Sequence, residues 1–300
     1  MSLRTNGERR TEQRLAASRN LDRMTAVEIV RLMNREDRKV AEAVERELPT
    51  IARAVNAIVE AMRGGGRLIY VGAGSSGRMA VLDAAEVPPT FGVPHEAIRA
   101  FIAGGRQAVT GAVEGAEDAA HAGVAALRGA RVGKGDVVLG IAASGTTPYV
   151  LAAIKYARGR GATTIAITSN EHMPLAQLAK IAINVEIGPE VLTGSTRLKA
   201  GTAQKMVLNM LSTAVMVRLG HVYENLMIDA VLTNKKLQGR AVRILMEASG
   251  ASVSAAEDAL RAAGHSMRVG LVMLKLDVNA SEARKKLAAA RGDLRRTLGE

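Results

Sequence analysis

Apolar residues recur every three to four positions between residues 26 and 63, the spacing of one face of an α-helix. We predict two or three helices in this stretch, with Pro49 at a boundary or kink. Three consecutive glycines, at 64–66, are expected to end the last of them. Residues 1–25 are polar, and we expect them to be loose or wrapped over a partner.

Five short apolar runs follow, separated by stretches with helical spacing. Such runs, alternating with helices, are typical of parallel strands buried on both faces. The predicted fold class is therefore α/β, a parallel-sheet sandwich with flanking helices. The predicted strands cover residues 67–72, 97–102, 136–142, 163–168 and 181–185, and the predicted helices cover 77–86, 107–128, 148–160, 174–180 and 194–219.

The pattern changes again near residue 246. Three stretches rich in Ala and Arg, at 254–262, 265–275 and 281–290, predict a small C-terminal three-helix domain without a catalytic cluster. We therefore divide the chain into an N-terminal helical segment (1–60), a central α/β domain with its closing helices (61–245) and a helical C-terminal domain (246–300).

Composition narrows the classes of function. The chain of 300 residues is 48% hydrophobic, enough to bury a full core. It has no Cys, and its 5 His are not at metal-ligand spacing, so we expect no disulfide, no Cys-ligated metal and no zinc site. No apolar run is long enough for a membrane span and no secretory signal is visible, so we expect a cytoplasmic protein without a membrane partner.

The charge balance favours anionic ligands. The formal net charge of +12 attracts anions such as phosphorylated metabolites, nucleic acid or anionic surfaces, although an alkaline-shifted proteome or plain solubility would also explain it. The basic residues form no block of like charge, and the chain has 4 Tyr, 2 Phe and no Trp on which bases could stack. We therefore expect a small-molecule partner and no nucleic acid.

Three loops of Gly, Ser and Thr follow predicted strands or open predicted helices. In an open parallel sheet, ligands bind beyond the carboxyl ends of the strands. Such loops cap helices everywhere, but three in one basic protein favour a phosphate site built from backbone N–H groups and hydroxyls. They cover residues 72–78, 142–148 and 193–205, and their candidate substrate-binding residues are Ser75, Ser76, Gly77, Ser144, Gly145, Thr146, Thr147, Ser195, Thr196 and Lys199.

These loops, in this order, resemble the sugar isomerase (SIS) fold, which binds phosphosugars. From about residue 8 to the C-terminus, the chain further resembles the N-acetylmuramic acid 6-phosphate etherase family. The most specific segments are Asp-Ala-Ala-Glu-Val-Pro-Pro-Thr-Phe-Gly at 83–92 and Ala-Val-Glu-Gly-Ala-Glu-Asp at 112–118. Supporting segments lie at residues 11–14, 140–149, 193–205, 208–213 and 225–229.

The resemblance implies a reaction and its catalytic groups. The family removes D-lactate from carbon 3 of N-acetylmuramic acid 6-phosphate by elimination and then hydration, leaving N-acetylglucosamine 6-phosphate, without metal or cofactor. By this resemblance, Glu86 is the acid that protonates the leaving lactate and then activates water, and Glu117 is the base for the proton on carbon 2. Glu114 lies on the same face of the predicted helix as Glu117; it either positions substrate or exchanges roles with Glu117.

The spacing of Glu86 predicts a shared site. Glu86 ends the predicted helix 77–86, and Pro88 and Pro89 are expected to stop that helix. Ser76 lies ten residues before Glu86, about 15 Å along a helix axis, which is too far for one hexose phosphate to bridge from its phosphate to carbon 3. We therefore expect a homodimer with the site at its interface, in which Glu86 serves the partner's phosphate loop.

One binding contact and two alternative functions stay open. Family members often carry Arg where Thr146 stands, so the group that binds the substrate carboxylate could be Arg78, Arg197 or Lys199. An SIS-type sugar-phosphate isomerase would share the loops without needing segments 83–92 and 112–118. A non-catalytic sugar-phosphate-sensing regulator would use the same pocket, as in glucokinase regulatory protein, but the presence of both Glu residues favours the enzyme.

Overall fold

The computed structural model of the chain describes residues 9–300. The first eight residues, part of the predicted polar start, lie outside the described residues. Contacts divide the chain into two units. Unit 1 holds the described residues up to Ala85 and residues His95–Val215, and unit 2 holds Glu86–Pro94 and Met216–Glu300. The domain boundaries predicted at residues 60 and 245 stay a prediction.

Unit 1 begins with three short 3-10 turns, Arg10–Glu12, Ala16–Ser18 and Leu21–Arg23, followed by α1 (Ala26–Glu45) and α2 (Leu48–Arg63). Thr25 starts α1 through a capping box with Glu28, which satisfies the first N–H groups of the helix. Pro49 lies in the first turn of α2, where its missing N–H costs nothing. The two predicted helices and their boundary are confirmed.

A five-stranded parallel sheet forms the centre of unit 1, with strand order β2-β1-β3-β4-β5. Every residue of β1 and β3 is buried, as expected for strands covered on both faces. The five predicted strands are confirmed. They are β1 (Leu68–Gly72), β2 (Ile98–Ile102), β3 (Val137–Ile141), β4 (Thr163–Thr168) and β5 (Ile181–Asn184).

Helices follow the strands, and one predicted helix is wrong. The predicted helix 107–128 is three pieces, because Gly115 takes a left-handed conformation (φ +69°) that interrupts it. The pieces are α4 (Gln107–Thr110), a 3-10 turn (Ala116–Asp118) and α5 (Ala120–Gly129). The other helices are α3 (Gly74–Phe91, in unit 1 as far as Ala85), α6 (Pro148–Gly159), α7 (Pro174–Leu178) and α8 (Lys199–Arg218, in unit 1 as far as Val215).

The C-terminal part of unit 2 is helical. The three predicted helices are present as α10 (Val253–Ala262), α11 (Met267–Leu276) and α12 (Ala280–Ala289). Two more helices, α9 (Lys235–Ser249) and α13 (Leu294–Leu298), share their apolar core. This core includes Ala241, Leu245, Leu260, Leu271 and Leu287.

Within residues 9–300, no helix is both long and apolar enough to cross a membrane.

A charged cluster within unit 2 connects residues 220–229 with α11. Arg268 donates to Asp229 through Nε at 2.8 Å, and His221 Nδ1 lies 2.9 Å from the same carboxylate. Arg268 Nη1 also donates to the carbonyl of Gly292 at 2.6 Å. Burial alone would raise the pKa of Asp229, but the hydrogen bonds from His221 and Arg268 outweigh it and hold the pKa below its ordinary value.

The Asp229 cluster predicts a pH-dependent stability of unit 2. Because the pKa of Asp229 is lowered in the folded state, its contribution is fully present above pH about 4 and is lost as the pH falls through the folded-state pKa. Asp229→Asn should cost about 1.5–3 kcal/mol at pH 7. Urea unfolding, monitored through the hydrogen exchange of the α11 amides, measures this cost at pH 7 and at successively lower pH.

Asp258→Asn is the matched control, because Asp258 is paired with Arg261 on the exposed surface of the same unit. We expect this control to change the free energy of unfolding by less than about 1 kcal/mol. A difference between wild type and Asp229→Asn that does not shrink at low pH would contradict the prediction.

Candidate active site

A polar cavity of about 380 Å³ lies at the carboxyl edge of the sheet in unit 1. The loops after β1 and β3 and the loop before α8 all contribute to it, as the sequence predicted. The cavity therefore gathers backbone and hydroxyl donors from segments far apart in the chain. The predicted binding residues that line it are Ser75, Ser76, Ser144, Thr146, Thr147 and Thr196.

The first loop turns sharply from β1 into α3. A Cβ on Gly72 would lie 2.8 Å from the Cα of Gly77, so only hydrogen at this position allows the strand and the helix to approach so closely. Gly77, a predicted binding residue, serves this packing and does not line the cavity. The turn places Ser75 and Ser76 at the N-terminus of α3, where the helix dipole favours an anion.

Asp83, in α3, connects this helix to β1 and α8. Its buried carboxylate accepts a hydrogen bond from Tyr70 of β1 at 3.0 Å and another from Ser212 of α8 at 3.1 Å. Burial, together with the Asp83 charge, raises the pKa of the Tyr70 hydroxyl. Asp83 begins one of the segments that resemble the etherase family, and its contacts give it a structural role.

The second loop is held by its own side chains. The Thr146 N–H and hydroxyl group both lie 3.2 Å from Ser144 Oγ, and the Gly145 N–H donates to the Ala142 carbonyl at 2.9 Å. Gly145 itself does not line the cavity. Thr147 is the N-cap of α6, so a second helix N-terminus faces the same space.

The third loop rests on buried charges. Glu190 is fully buried and accepts the N–H groups of Lys199 and Ala200 at 3.0 Å each, which caps α8. Burial raises the pKa of Glu190. The Lys199 ammonium is also buried, and it donates to Glu36 at 3.2 Å and to the Ile187 carbonyl at 2.9 Å. Lys199 therefore fits a structural cation, and its predicted role in substrate binding stays a prediction, as does that of Ser195.

Arg9 and Glu12 also line the cavity, and neither one is among the binding residues predicted from the sequence. Thr11 between them is fully buried because its N–H donates to Asn170 Oδ1 at 3.3 Å and its hydroxyl accepts from Asn170 Nδ2 at 3.1 Å. Asn170 also donates to the carbonyl of Ala143, beside the second loop, at 3.0 Å. Only the resemblance of residues 11–14 to the etherases pointed to this segment.

The predicted base, Glu117, lines the cavity beside the first loop. Glu114 does not line it, and the prediction that the two share a helical face is wrong. Glu114 lies in a turn, Glu117 lies in the 3-10 turn 116–118, and Gly115 between them is left-handed. Both carboxylates line a second, smaller cavity of about 230 Å³, which shares Ala73, Gly74 and Glu117 with the first.

The predicted acid, Glu86, belongs to unit 2. The expected helix stop after it is wrong, since α3 continues through Pro88 and Pro89 to Phe91. The Thr90 hydroxyl and the Gly92 N–H donate hydrogen bonds to backbone carbonyls in the last turn of α3. The Thr90 hydroxyl donates to the Glu86 carbonyl at 2.7 Å, and the Gly92 N–H donates to the Pro88 carbonyl at 2.9 Å.

Two further observations concern other possible sites in the described residues. A larger cavity of about 640 Å³ elsewhere in unit 1 is lined mainly by apolar side chains such as Val81, Phe101 and Val109, and it lacks the convergent polar groups of the first. Among residues 9–300, no group of three or more His, Asp or Glu is arranged to hold a metal ion.

The parallel sheet and the three loops at its carboxyl edge have the architecture of an SIS-fold protein. Residues 113–214 match the SIS domain, and residues 50–158 match the glucokinase regulatory protein N-terminal SIS domain. A phosphoheptose isomerase from Francisella tularensis has a similar fold, with a TM-score of 0.53 and 20% identity over 65% of this chain and 100% of that one. The predicted fold class is confirmed.

Two curated relatives are much more similar in sequence. An N-acetylmuramic acid 6-phosphate etherase from Serratia proteamaculans is 52% identical over 96% of this chain and 97% of its own length. Another, from Symbiobacterium thermophilum, is 54% identical over 88% of each chain. The chain belongs to the N-acetylmuramic acid 6-phosphate etherase family.

The contacts of Asn170 predict a local effect on the N-terminal segment. Asn170→Ala removes its hydrogen bonds to Thr11 and Ala143, which should make opening of residues 9–14 easier by about 1–3 kcal/mol. Hydrogen exchange of this segment should then accelerate about 5- to 160-fold. Asn20→Ala is the control, because Asn20 is exposed and its side chain caps no helix. Equal exchange in wild type and Asn170→Ala would show that the segment is held by other contacts.

Proposed function

We propose that the chain is a lyase that cleaves the D-lactyl ether of N-acetylmuramic acid 6-phosphate to give N-acetylglucosamine 6-phosphate and D-lactate. One observation carries the proposal: the carboxylate-bearing Glu117 and the Ser/Thr loops line one cavity. Its volume, about 380 Å³, suits a small ligand. Relatives more than 50% identical bear the name of this activity.

The phosphate binds among the loop hydroxyls in this proposal. Ser75 and Ser76 at the N-terminus of α3, with Ser144 and Thr146, offer hydrogen-bond donors to its oxygens. Arg9 adds a positive charge on the wall of the same cavity. Because phosphate esters are ionised and cross a lipid bilayer poorly, this substrate favours a cytoplasmic location.

The chemistry needs a base and an acid. In the open-chain sugar, the aldehyde acidifies carbon 2, and Glu117 takes its proton. The electron pair forms a carbon–carbon double bond as the bond from carbon 3 to the lactyl oxygen breaks, and Glu86 gives that oxygen a proton. Water then adds at carbon 3, giving a proton to Glu86, while carbon 2 regains its proton from Glu117. The cycle restores both carboxyl groups and uses no cofactor.

The proposed enzyme is a homodimer that shares its sites. The spacing of the two residues supports this arrangement, because ten residues of helix separate Ser76 from Glu86 by about 15 Å along the axis. Glu86 of one subunit then serves the phosphate loop of the other. The homodimer and the interface site are part of the proposal, together with the roles of Glu86 and Glu117.

Loss of either carboxylate should abolish most of the activity. We expect wild type to release D-lactate from N-acetylmuramic acid 6-phosphate without added metal, and Glu86→Ala and Glu117→Ala to be slower by about 10²–10⁴-fold. An enzymatic assay of D-lactate measures this directly. Binding of the phosphosugar without lactate release would favour the sensing regulator. If the protein neither binds the phosphosugar nor releases lactate, the proposed substrate is rejected.

Mixed dimers test whether the site is shared. When Glu86→Ala and Glu117→Ala subunits are unfolded and refolded together, a shared site leaves each mixed dimer one intact site. Random pairing should then restore about a quarter of wild-type activity. Refolding each variant alone is the control. Activity that stays at the level of the separate variants would place both Glu residues of a site in one subunit.

A further inference from the structure

The smaller cavity beside the candidate site has a different character from the first. It shares Ala73, Gly74 and Glu117 with the first cavity as wall residues, and its volume is about 230 Å³. Much of its wall consists of small side chains that expose methyl groups or hydrogen. These are Ala103, Ala108, Gly111, Ala112, Val113, Gly115 and Ala116.

Arg78 is the cation on this wall. Its guanidinium is anchored on one side, because Nε donates to the Val109 carbonyl at 3.1 Å and Nη2 donates to the Gly111 carbonyl at 2.6 Å. These bonds use two of its five N–H groups. Both partners are neutral carbonyls, and no ion pair with a carboxylate is recorded for Arg78 in residues 9–300. Its position is fixed while its charge is left to attract an anion.

The other basic residues considered for the substrate carboxylate are placed elsewhere. Lys199 is buried against Glu36. Arg197 is exposed and lines neither of the two cavities. Arg9 lines the first cavity, where the proposed phosphate binds.

We propose that the smaller cavity is the subsite for the D-lactyl group and that Arg78 binds its carboxylate. This inference rests on the proposed function. The lactyl group carries one carboxylate and one methyl group, which match one anchored cation and a wall of small apolar side chains. Glu117 lines both cavities, so a substrate that occupies both of them places carbon 2, the neighbour of the carbon that bears the lactyl group, beside this carboxylate. Glu114 is exposed on the same wall, where solvent screens its repulsion of the carboxylate.

Two ligands that differ by the lactyl group test the subsite. Binding of N-acetylmuramic acid 6-phosphate and of N-acetylglucosamine 6-phosphate is measured by calorimetry in a Glu117→Gln background, which prevents turnover. Adding Arg78→Met keeps the length of the side chain and removes its charge. We expect affinity for the muramic acid ligand to fall about 10- to 100-fold, and affinity for the glucosamine ligand to change less than about 3-fold.

The matched control is Arg128→Met, at an exposed arginine in the last turn of α5, which should leave both affinities unchanged. If Arg78 only holds the loop through the Val109 and Gly111 carbonyls, Arg78→Met weakens both ligands equally, and the subsite proposal is overturned. Retained affinity for both ligands overturns it as well. Failure of wild type to release D-lactate would reject the proposed function itself, so the two failures are distinguishable.

Discussion

The close approach of Gly72 and Gly77 is the constraint on which the candidate site depends. It turns the chain from β1 into α3 within a few residues, so the helix N-terminus, with Ser75 and Ser76, faces the cavity at the sheet edge. A Cβ at Gly72 would clash with the backbone of α3, and a Cβ at Gly77 would lie 2.5 Å from the Ile102 side chain of β2. Asp83 then secures the helix from below through Tyr70 and Ser212, so one buried carboxylate links a strand and two helices.

Buried polar contacts support the remaining walls of the cavity. Asn170 ties Thr11 to Ala143, which brings Arg9 and Glu12 beside the second loop. Glu190 and Glu36 together engage the backbone and ammonium of Lys199 and thereby support the third loop. Groups of this kind are costly to leave unpaired, and their geometry is correspondingly strict. The cavity is therefore preorganised by hydrogen bonds that lie behind its surface.

Periodicity predicted the five strands because their burial on both faces leaves a continuous apolar run, and it predicted the three loops because Gly, Ser and Thr follow those runs. It failed where a single residue overrides the pattern: Gly115 breaks the helix expected across Glu114 and Glu117, whereas Pro88 and Pro89 do not end α3. The Thr11–Asn170 contact spans 159 positions and leaves no local signal. The burial of Lys199 could not be predicted from the sequence either, because its partner Glu36 lies 163 positions away along the chain.

The continuity of α3 makes the length of the chain between Arg78 and Glu86 as important as its composition. One inserted or deleted residue in that stretch would turn Glu86 by about 100° around the helix axis and move it by about 1.5 Å, while the glycine turn at the start stayed in place. Substitutions at exposed positions of the same stretch carry no such penalty. Natural variation at these exposed positions should therefore change side chains freely, while insertions and deletions are avoided, and a gap-free alignment across residues 78–86 would agree with the proposed role of Glu86.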